Sequence, residues 1–308
     1  MSTKPRSESL TGLLRIALAA TTWGTIPVFV RMVHTSAVVI VFWRAVLAAL
    51  VAVAVLAFRR QFGALRTLPA RRTAAVLGVG CLLGINWVLY LGALQLTKVA
   101  VAVLLAYCGP VFVAALTPAL TRERFDKRLL LPLALALTGI IAIVGPQELS
   151  LSSGRELLGA GMALASALTY AGLVLSSKRL LTGVPVAAYM LGEYAGAAAL
   201  LLPVVLFLPG PAHAQEWAGL AALGILDTAV TGLLFLSGLR MVRADHGAML
   251  TYAEPVSAVI FSALLLGESV SLATVAGSAL VITGGVLVAR MRPQPSIEAA
   301  GLAPDETS

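Results

Sequence analysis

Arg44, Glu193, Asp227 and Glu254 stand inside long apolar stretches of a 308-residue sequence that is otherwise poor in charge. A charged side chain at the depth of a hydrocarbon core is costly unless paired or hydrated, so such residues face a bundle interior or a wet cavity. Asp227 and Glu254 lie deepest, and Glu254 directly precedes Pro255. A carboxyl in a cavity whose access alternates can take up a proton on one side and release it on the other, which makes these two the leading proton-coupling candidates. Two other roles stay open for them: recognition of a substrate amine, and structural pairing with Arg44 as the partner. Glu193 is a third coupling candidate, near the cytoplasmic third of its stretch, where simple contact with water is the alternative. Arg44 has its own structural alternative, bonding to carbonyls freed near a helix end.

A second group could read an organic solute: Trp23, Asn86, Trp87, Tyr90, Tyr107, Tyr170, Thr231 and Tyr252. Aromatic rings offer stacking and cation-π surface, and the Asn86 amide can both donate and accept hydrogen bonds. The expected substrate-binding set is Trp23, Arg44, Asn86, Tyr90, Tyr107, Tyr170, Thr231 and Tyr252, with packing against the core or lipid as the competing reading for any one ring. Tyr107 and Tyr252 rise above that alternative because each stands three residues before a proline, in Tyr-x-x-Pro-Val at 107–111 and again at 252–256. A proline inside a helix lacks an N–H and clashes with the preceding turn, so Pro110 and Pro255 are predicted kinks, serving as hinges or lining a cavity with freed carbonyls, or else as static bends. No catalytic residue, metal site or cofactor is expected. There is no metal-spaced His/Cys cluster and no phosphate-cradling glycine loop, and His34, His213 and His246 fall at loop edges.

The elements that must position these residues are membrane helices. Hydrophobic residues make up 59% and charged residues 12% of the chain, and the mean hydropathy of +0.95 lies far from soluble composition. About 20 apolar residues cross a hydrocarbon core as a helix. Ten such stretches are predicted, at 12–33, 37–58, 73–94, 98–120, 129–145, 157–178, 186–208, 217–239, 246–266 and 272–290. The fold class is therefore all-α and membrane-spanning, with the lipid bilayer as one partner. With the N-terminus inside, 18 of the 22 Lys and Arg residues fall on the cytoplasmic side, Arg31, Lys98 and Arg155 face out, and Arg44 lies within a span. The net charge of +8 is thus an orientation signal, and no nucleic-acid partner is expected. Localisation in the cell inner membrane follows, with both termini cytoplasmic. The first stretch imitates a secretory signal but runs on for a full crossing, so no cleavage is expected. Cys81 and Cys108 lie within spans and suggest packing rather than a disulfide. Gly80 with Gly84, and Gly192 with Gly196, have the spacing that lets helices approach closely.

Residues 90–145 repeat as 235–290 at a constant offset of 145, carrying the Tyr-x-x-Pro-Val pair, then Glu123 and Glu268, then Thr138-Gly139 and Thr283-Gly284. Five helices per repeat is an odd number, so the second copy enters the membrane upside down. Arg44 and Glu193 then fall at roughly equivalent positions in related helices. Inverted repeats give two halves that can exchange conformations, with a site near the midplane between them. The expected division is a cytoplasmic N-terminus (1–11), a first repeat (12–145), an outer linker (146–156), a second repeat (157–290) and a disordered cytoplasmic tail (291–308).

Trp23-Gly24, Phe42-x-Arg44, Tyr90-x-x-Ala93-Leu94, Pro110, Glu123 and Thr138-Gly139 come in an order that resembles the EamA-type branch of the drug/metabolite transporter superfamily. Leu236-x-x-Leu239, Pro255, Glu268 and Thr283-Gly284 repeat it in the second half, so the resemblance covers about residues 12–290. It implies a secondary transporter, usually an exporter of amino acids, metabolites or toxic compounds. It also implies a central cavity built by helices one to four and six to nine, with five and ten peripheral. A small-molecule substrate is the implied partner, and a homodimer is left open. Uncoupled facilitation is the alternative within transport, and a membrane enzyme or receptor the alternative outside it. One departure is that Arg122 and Arg124 flank Glu123, whereas Glu268 has no such neighbours, which separates the roles of the two acids.

Overall fold

The computed structural model describes residues 6–121, 125–145, 151, 153–267 and 270–291. Glu123 and Glu268 lie outside the described residues, as do most of the expected linker and nearly all of the tail. Among the described residues, ten helices are long and apolar enough to cross a membrane. Span one is Ser9–Val30, span two Ala37–Phe58, span three Ala70–Leu96, span four Val101–Thr121 and span five Lys127–Val144. Spans six to ten are Gly154–Leu180, Val186–Val205, Ala214–Leu239, Ala244–Leu265 and Leu272–Arg290. Helix is the dictated form, because in hydrocarbon each backbone N–H and C=O must be satisfied within its own segment.

Spans two, three, six and seven are continuous α-helices that pack on one another and share the largest apolar core. Spans five and ten pack chiefly against each other, at the margin of the bundle. The closest approach in the core is between spans three and seven. A methyl group on Gly80 would lie 2.0 Å from the Glu193 carbonyl oxygen, and one on Gly196 would lie 2.2 Å from the Leu77 carbonyl oxygen. Gly84 has ordinary room, 3.5 Å from Ala197, so the close contact is confined to one turn.

Three spans are interrupted and a fourth is widened. Span one breaks at Gly24 and Thr25, between helices Arg6–Trp23 and Ile26–Val30. Span four breaks at Tyr107 and Cys108, between Val99–Ala106 and Gly109–Thr121. Span nine breaks at Thr251 and Tyr252, between Ala244–Leu250 and Ala253–Leu266. Span eight stays helical but widens into a π-helix over Ala222–Val230.

The breaks in spans four and nine fall at matching places in the repeat, and they correct the expected setting of the prolines. Pro110 and Pro255 do not kink a running helix. Each stands in the first turn of a new helix, where its missing N–H would have had no intrahelical partner anyway and its fixed φ suits the geometry. The backbone has already broken two to four residues upstream. Breaking there costs less than carrying a proline through a helix interior, where a hydrogen bond is lost and the ring meets the preceding turn.

The Gly80–Gly196 contact gives a stability prediction. Gly80→Ala or Gly196→Ala should destabilise the folded protein by about 1–3 kcal/mol through overpacking against backbone, whereas Gly161→Ala, which meets nothing within 4 Å, should not. Thermal unfolding in detergent, with all three variants measured alongside the parent, checks this.

Candidate substrate cavity

The interruptions surround one cavity of about 550 Å³ in the middle of the bundle, lined by spans one to four and six to nine. Trp23, Arg44, Asn86, Tyr90, Tyr107, Tyr170, Thr231, Glu193, Asp227, Glu254, Pro110 and Pro255 all line it. Spans five and ten contribute nothing to its wall. Of the expected set only Tyr252 is absent from the lining; it is buried in the apolar core beside the break in span four.

Tyr252 is placed there by backbone chemistry. A broken helix leaves carbonyls without intrahelical donors, and at membrane depth these need another partner. The Tyr252 hydroxyl donates to the Tyr107 carbonyl oxygen at 2.8 Å, so the second repeat satisfies the break in the first. The two rings lie with centroids 6.1 Å apart. The Tyr107 side chain instead turns toward the cavity, where it meets Glu254. The duplicated tyrosines therefore do different work.

A second cluster is organised by the π-helix of span eight. The Thr228 hydroxyl donates to the Leu223 carbonyl at 2.7 Å and accepts from Arg44 Nε at 3.1 Å. The Tyr194 hydroxyl donates to the Thr228 carbonyl at 3.0 Å. Arg44 is further held over the Trp87 ring, its guanidinium carbon 4.5 Å from the centroid, a cation-π contact that strengthens away from water. Among the described residues, Arg44 forms no ion pair with Glu193, Asp227 or Glu254. The structural pairing foreseen as one option for the acids is not made in this state, and the cavity lining holds three carboxyls, the stacked Arg44 and, at its edge, Arg31.

Asp227 receives the Thr25 hydroxyl on Oδ1 at 2.9 Å, across the break in span one. Its Oδ2 is buried and has no hydrogen-bond partner among the described residues. Beside it Trp23 Nε1 donates to the Thr231 hydroxyl at 2.8 Å, and the Trp23 ring packs on Phe235 at 5.5 Å. Glu193 sits against the Tyr189 and Ser177 hydroxyls, which themselves lie 2.8 Å apart. Asn86 is committed to scaffold: its amide nitrogen reaches the Ser166 carbonyl at 2.7 Å and the Thr169 hydroxyl at 3.0 Å, which leaves its carbonyl end as the group able to meet a solute.

Residues 10–145 and 157–290 each match the model of the EamA-like transporter family. An uncharacterized transporter of Archaeoglobus fulgidus is 32% identical over 288 residues, which is 90% of this chain and 96% of that protein. The chain belongs to the EamA-like transporter family. The uncharacterized transporter YwfM of Bacillus subtilis is 27% identical over 69% of the chain and 72% of its own length. A crystal structure at 22% identity superposes with a TM-score of 0.78, covering 90% of this chain and 96% of that one, which shows a shared fold.

In this EamA-like chain the exposed lining residues of the cavity, among the described residues, all stand at one end. Pro27, Arg31 and Val99, exposed at the ends of spans one and four, stand at its mouth, while its floor is set by buried Ser177 and Leu236. Below the floor, spans one and eight meet at glycines: a methyl on Gly238 would lie 2.6 Å from the Gly12 carbonyl oxygen. Lys178 ties span six to the end of span eight, its ammonium donating to the Leu239 carbonyl at 2.7 Å and to that of Val242. Asp126, before span five, is fully buried. It accepts from Arg128 Nε at 2.9 Å and Nη2 at 2.8 Å, and lies 3.4 Å from His246 Nε2 at the start of span nine.

The Arg128 guanidinium, hydrogen-bonded to the carboxylate, holds Asp126 down to about 2, below its ordinary 3.8. A lowered carboxyl contributes stability in full above its unfolded pKa, and the contribution is lost as pH falls from 3.8 to about 2. The Asp126 contribution should therefore be constant from about pH 5 to 8. Asp126→Asn should lower the thermal midpoint throughout that range and flatten the acid limb between 3.8 and about 2. Tryptophan fluorescence melts of parent and variant across pH test this.

Proposed function

We propose that the protein is a secondary transporter that moves a small organic solute out of the cell by alternating access. Amino acids, related metabolites or drugs would be the cargo, with Asp227, Glu254 and Glu193 as the proton-carrying groups. The observation that carries the reading is a cavity at mid-bundle, lined by spans of both repeats, whose exposed lining residues Pro27, Arg31 and Val99 stand at one end. The Lys and Arg bias supports placing the mouth at Arg31 and Val99 on the outer side and the sealed end in the cytoplasm, so that the bundle is outward-facing.

The lining favours a solute that carries an amine on an apolar or aromatic body. Three carboxyls line the cavity against two arginines, of which Arg44 is already stacked on Trp87 and Arg31 stands at the mouth, and buried Asp227 Oδ2 has no donor among the described residues. The rings of Trp23, Tyr90, Tyr107 and Tyr170 supply stacking and cation-π surface. An ammonium entering this site would meet the acids, and proton and amine would compete for the same oxygens. That competition is the physical basis of exchange: a carboxyl cannot hold both.

Two measurements test the reading. In proteoliposomes with an imposed pH gradient, Asp227→Asn and Glu254→Gln should each abolish gradient-driven flux of an amine-bearing solute while sparing the fold. Undiminished gradient-driven flux in both variants would remove Asp227 and Glu254 from the coupling, flux of the parent that ignores the pH gradient would leave only uncoupled facilitation, and absence of flux for every solute class by folded protein would remove transport itself. Single cysteines placed in the 59–72 and 209–215 loops should label from opposite sides of the membrane; labelling from the same side refutes the inverted arrangement.

A further inference from the structure

A second chamber lies directly beneath the floor of the central cavity. Its volume is about 490 Å³, and its walls include Arg15 of span one, Lys178 of span six and Arg240 at the end of span eight. Thr182 and Ser237 add hydroxyls, and among the described residues no acidic side chain lines it. Three cations from three segments, spans one and six and the end of span eight, thus converge on one pocket, with the Thr182 hydroxyl beside them and the Ser237 hydroxyl donating to the Leu234 carbonyl.

We propose that this pocket binds the phosphate of an anionic lipid headgroup from the adjoining leaflet, and that the bound lipid braces the closed end of the transporter. Arginine matches phosphate oxygens with paired N–H donors, and basic pockets between helices on the cytoplasmic side suit anionic headgroups. Lys178 contributes charge and framework, since its ammonium is directed at the span-eight carbonyls. Arg15 and Arg240 are exposed at the surface and supply the recognising faces.

The choice of a lipid over a soluble phosphate rests on what adjoins the pocket. Leu14 and Leu18, next to Arg15 and one turn on, are 61% and 56% exposed. They form an apolar track on span one leading from the pocket toward mid-membrane, which an acyl chain can follow while its phosphate stays at the arginines. Inorganic phosphate gains nothing from that track.

The bracing follows from a shared wall. Ser177 and Leu236 face the central cavity, while the next residues in sequence, Lys178 and Ser237, face the basic pocket. Opening the cavity floor parts spans one, six and eight and so takes the pocket apart. A ligand that holds only the closed arrangement shifts the equilibrium toward it by its differential affinity. This part rests on the alternating-access reading above; the binding itself does not.

The full chain in zwitterionic phosphatidylcholine nanodiscs, titrated with phosphatidylglycerol and followed by thermal shift and by native mass spectrometry of retained lipid, tests the proposal without any transport assay. Phosphatidylglycerol should raise the midpoint and stay bound. Arg15→Gln/Arg240→Gln should bind it about tenfold more weakly, two headgroup contacts having been removed. If the double variant does not fold, each single variant should lose several-fold. Equal retention by parent and variants overturns the site, and retention of phosphatidylcholine as strong as that of phosphatidylglycerol overturns the charge recognition. Inorganic phosphate or glycerol phosphate should give no shift at millimolar concentration; a shift equal to that of the lipid reassigns the pocket to a soluble anion and overturns the lipid proposal. Where binding holds, phosphatidylglycerol should slow exchange of the bundle between its two facings, and unchanged flux would overturn the brace alone.

Discussion

Every polar group of a backbone in hydrocarbon has to find its partner nearby, and this bundle is built around the few places where the helices decline to provide one. Spans two, three, six and seven satisfy themselves and form a rigid wall. Spans one, four and nine break, and span eight widens, and all four irregularities border the same space. Groups at the irregularities are then claimed across the bundle: the Tyr107 carbonyl by Tyr252 and the Thr228 carbonyl by Tyr194, while Thr25, in the break of span one, reaches the Asp227 side chain. Irregular backbone at membrane depth is tolerated only beside protein or water. The irregularities and the cavity therefore require one another.

The duplication supplies the frame, and departures from it supply the chemistry. Tyr107 and Tyr252 begin as copies, yet one faces the cavity and the other caps its partner's break. The residue before the conserved proline is Gly109 in the first half, packed under the Tyr170 ring, and Glu254 in the second, lining the cavity. Arg44 has no cationic copy, and its position is set by a tryptophan face and a threonine hydroxyl rather than by a carboxylate. A site assembled this way has polar character from both halves without being symmetric in charge.

Much of this was legible in the sequence because the membrane imposes it. Hydropathy located ten spans to within a few residues, and the offset of 145 identified related elements that the structure breaks at matching points. Intramembrane charge pointed to Arg44, Glu193, Asp227 and Glu254, all of which reach the cavity. What stayed hidden depended on backbone geometry. Nothing in Ala222–Val230 announces a π-helix, which no residue type encodes by itself. Thr25, Tyr194 and Thr228 are ordinary until that geometry brings them to Asp227 and Arg44, although each adjoins a residue already singled out. Pro110 and Pro255 suggest kinks from sequence because each lies within an apolar stretch long enough to be one helix; only the hydrogen-bond ladder shows that the helix restarts just ahead of them.

Span eight is the repeat partner of span three, and only span eight carries the widened turns; Ala70–Leu96 is an unbroken α-helix. For halves that trade roles, the two facings would be mirror images only if that widening could pass from one span to the other. It belongs to one sequence and cannot migrate. On the alternating-access reading proposed above, the two facings then differ in free energy before any solute or proton arrives, and one of them is the resting state.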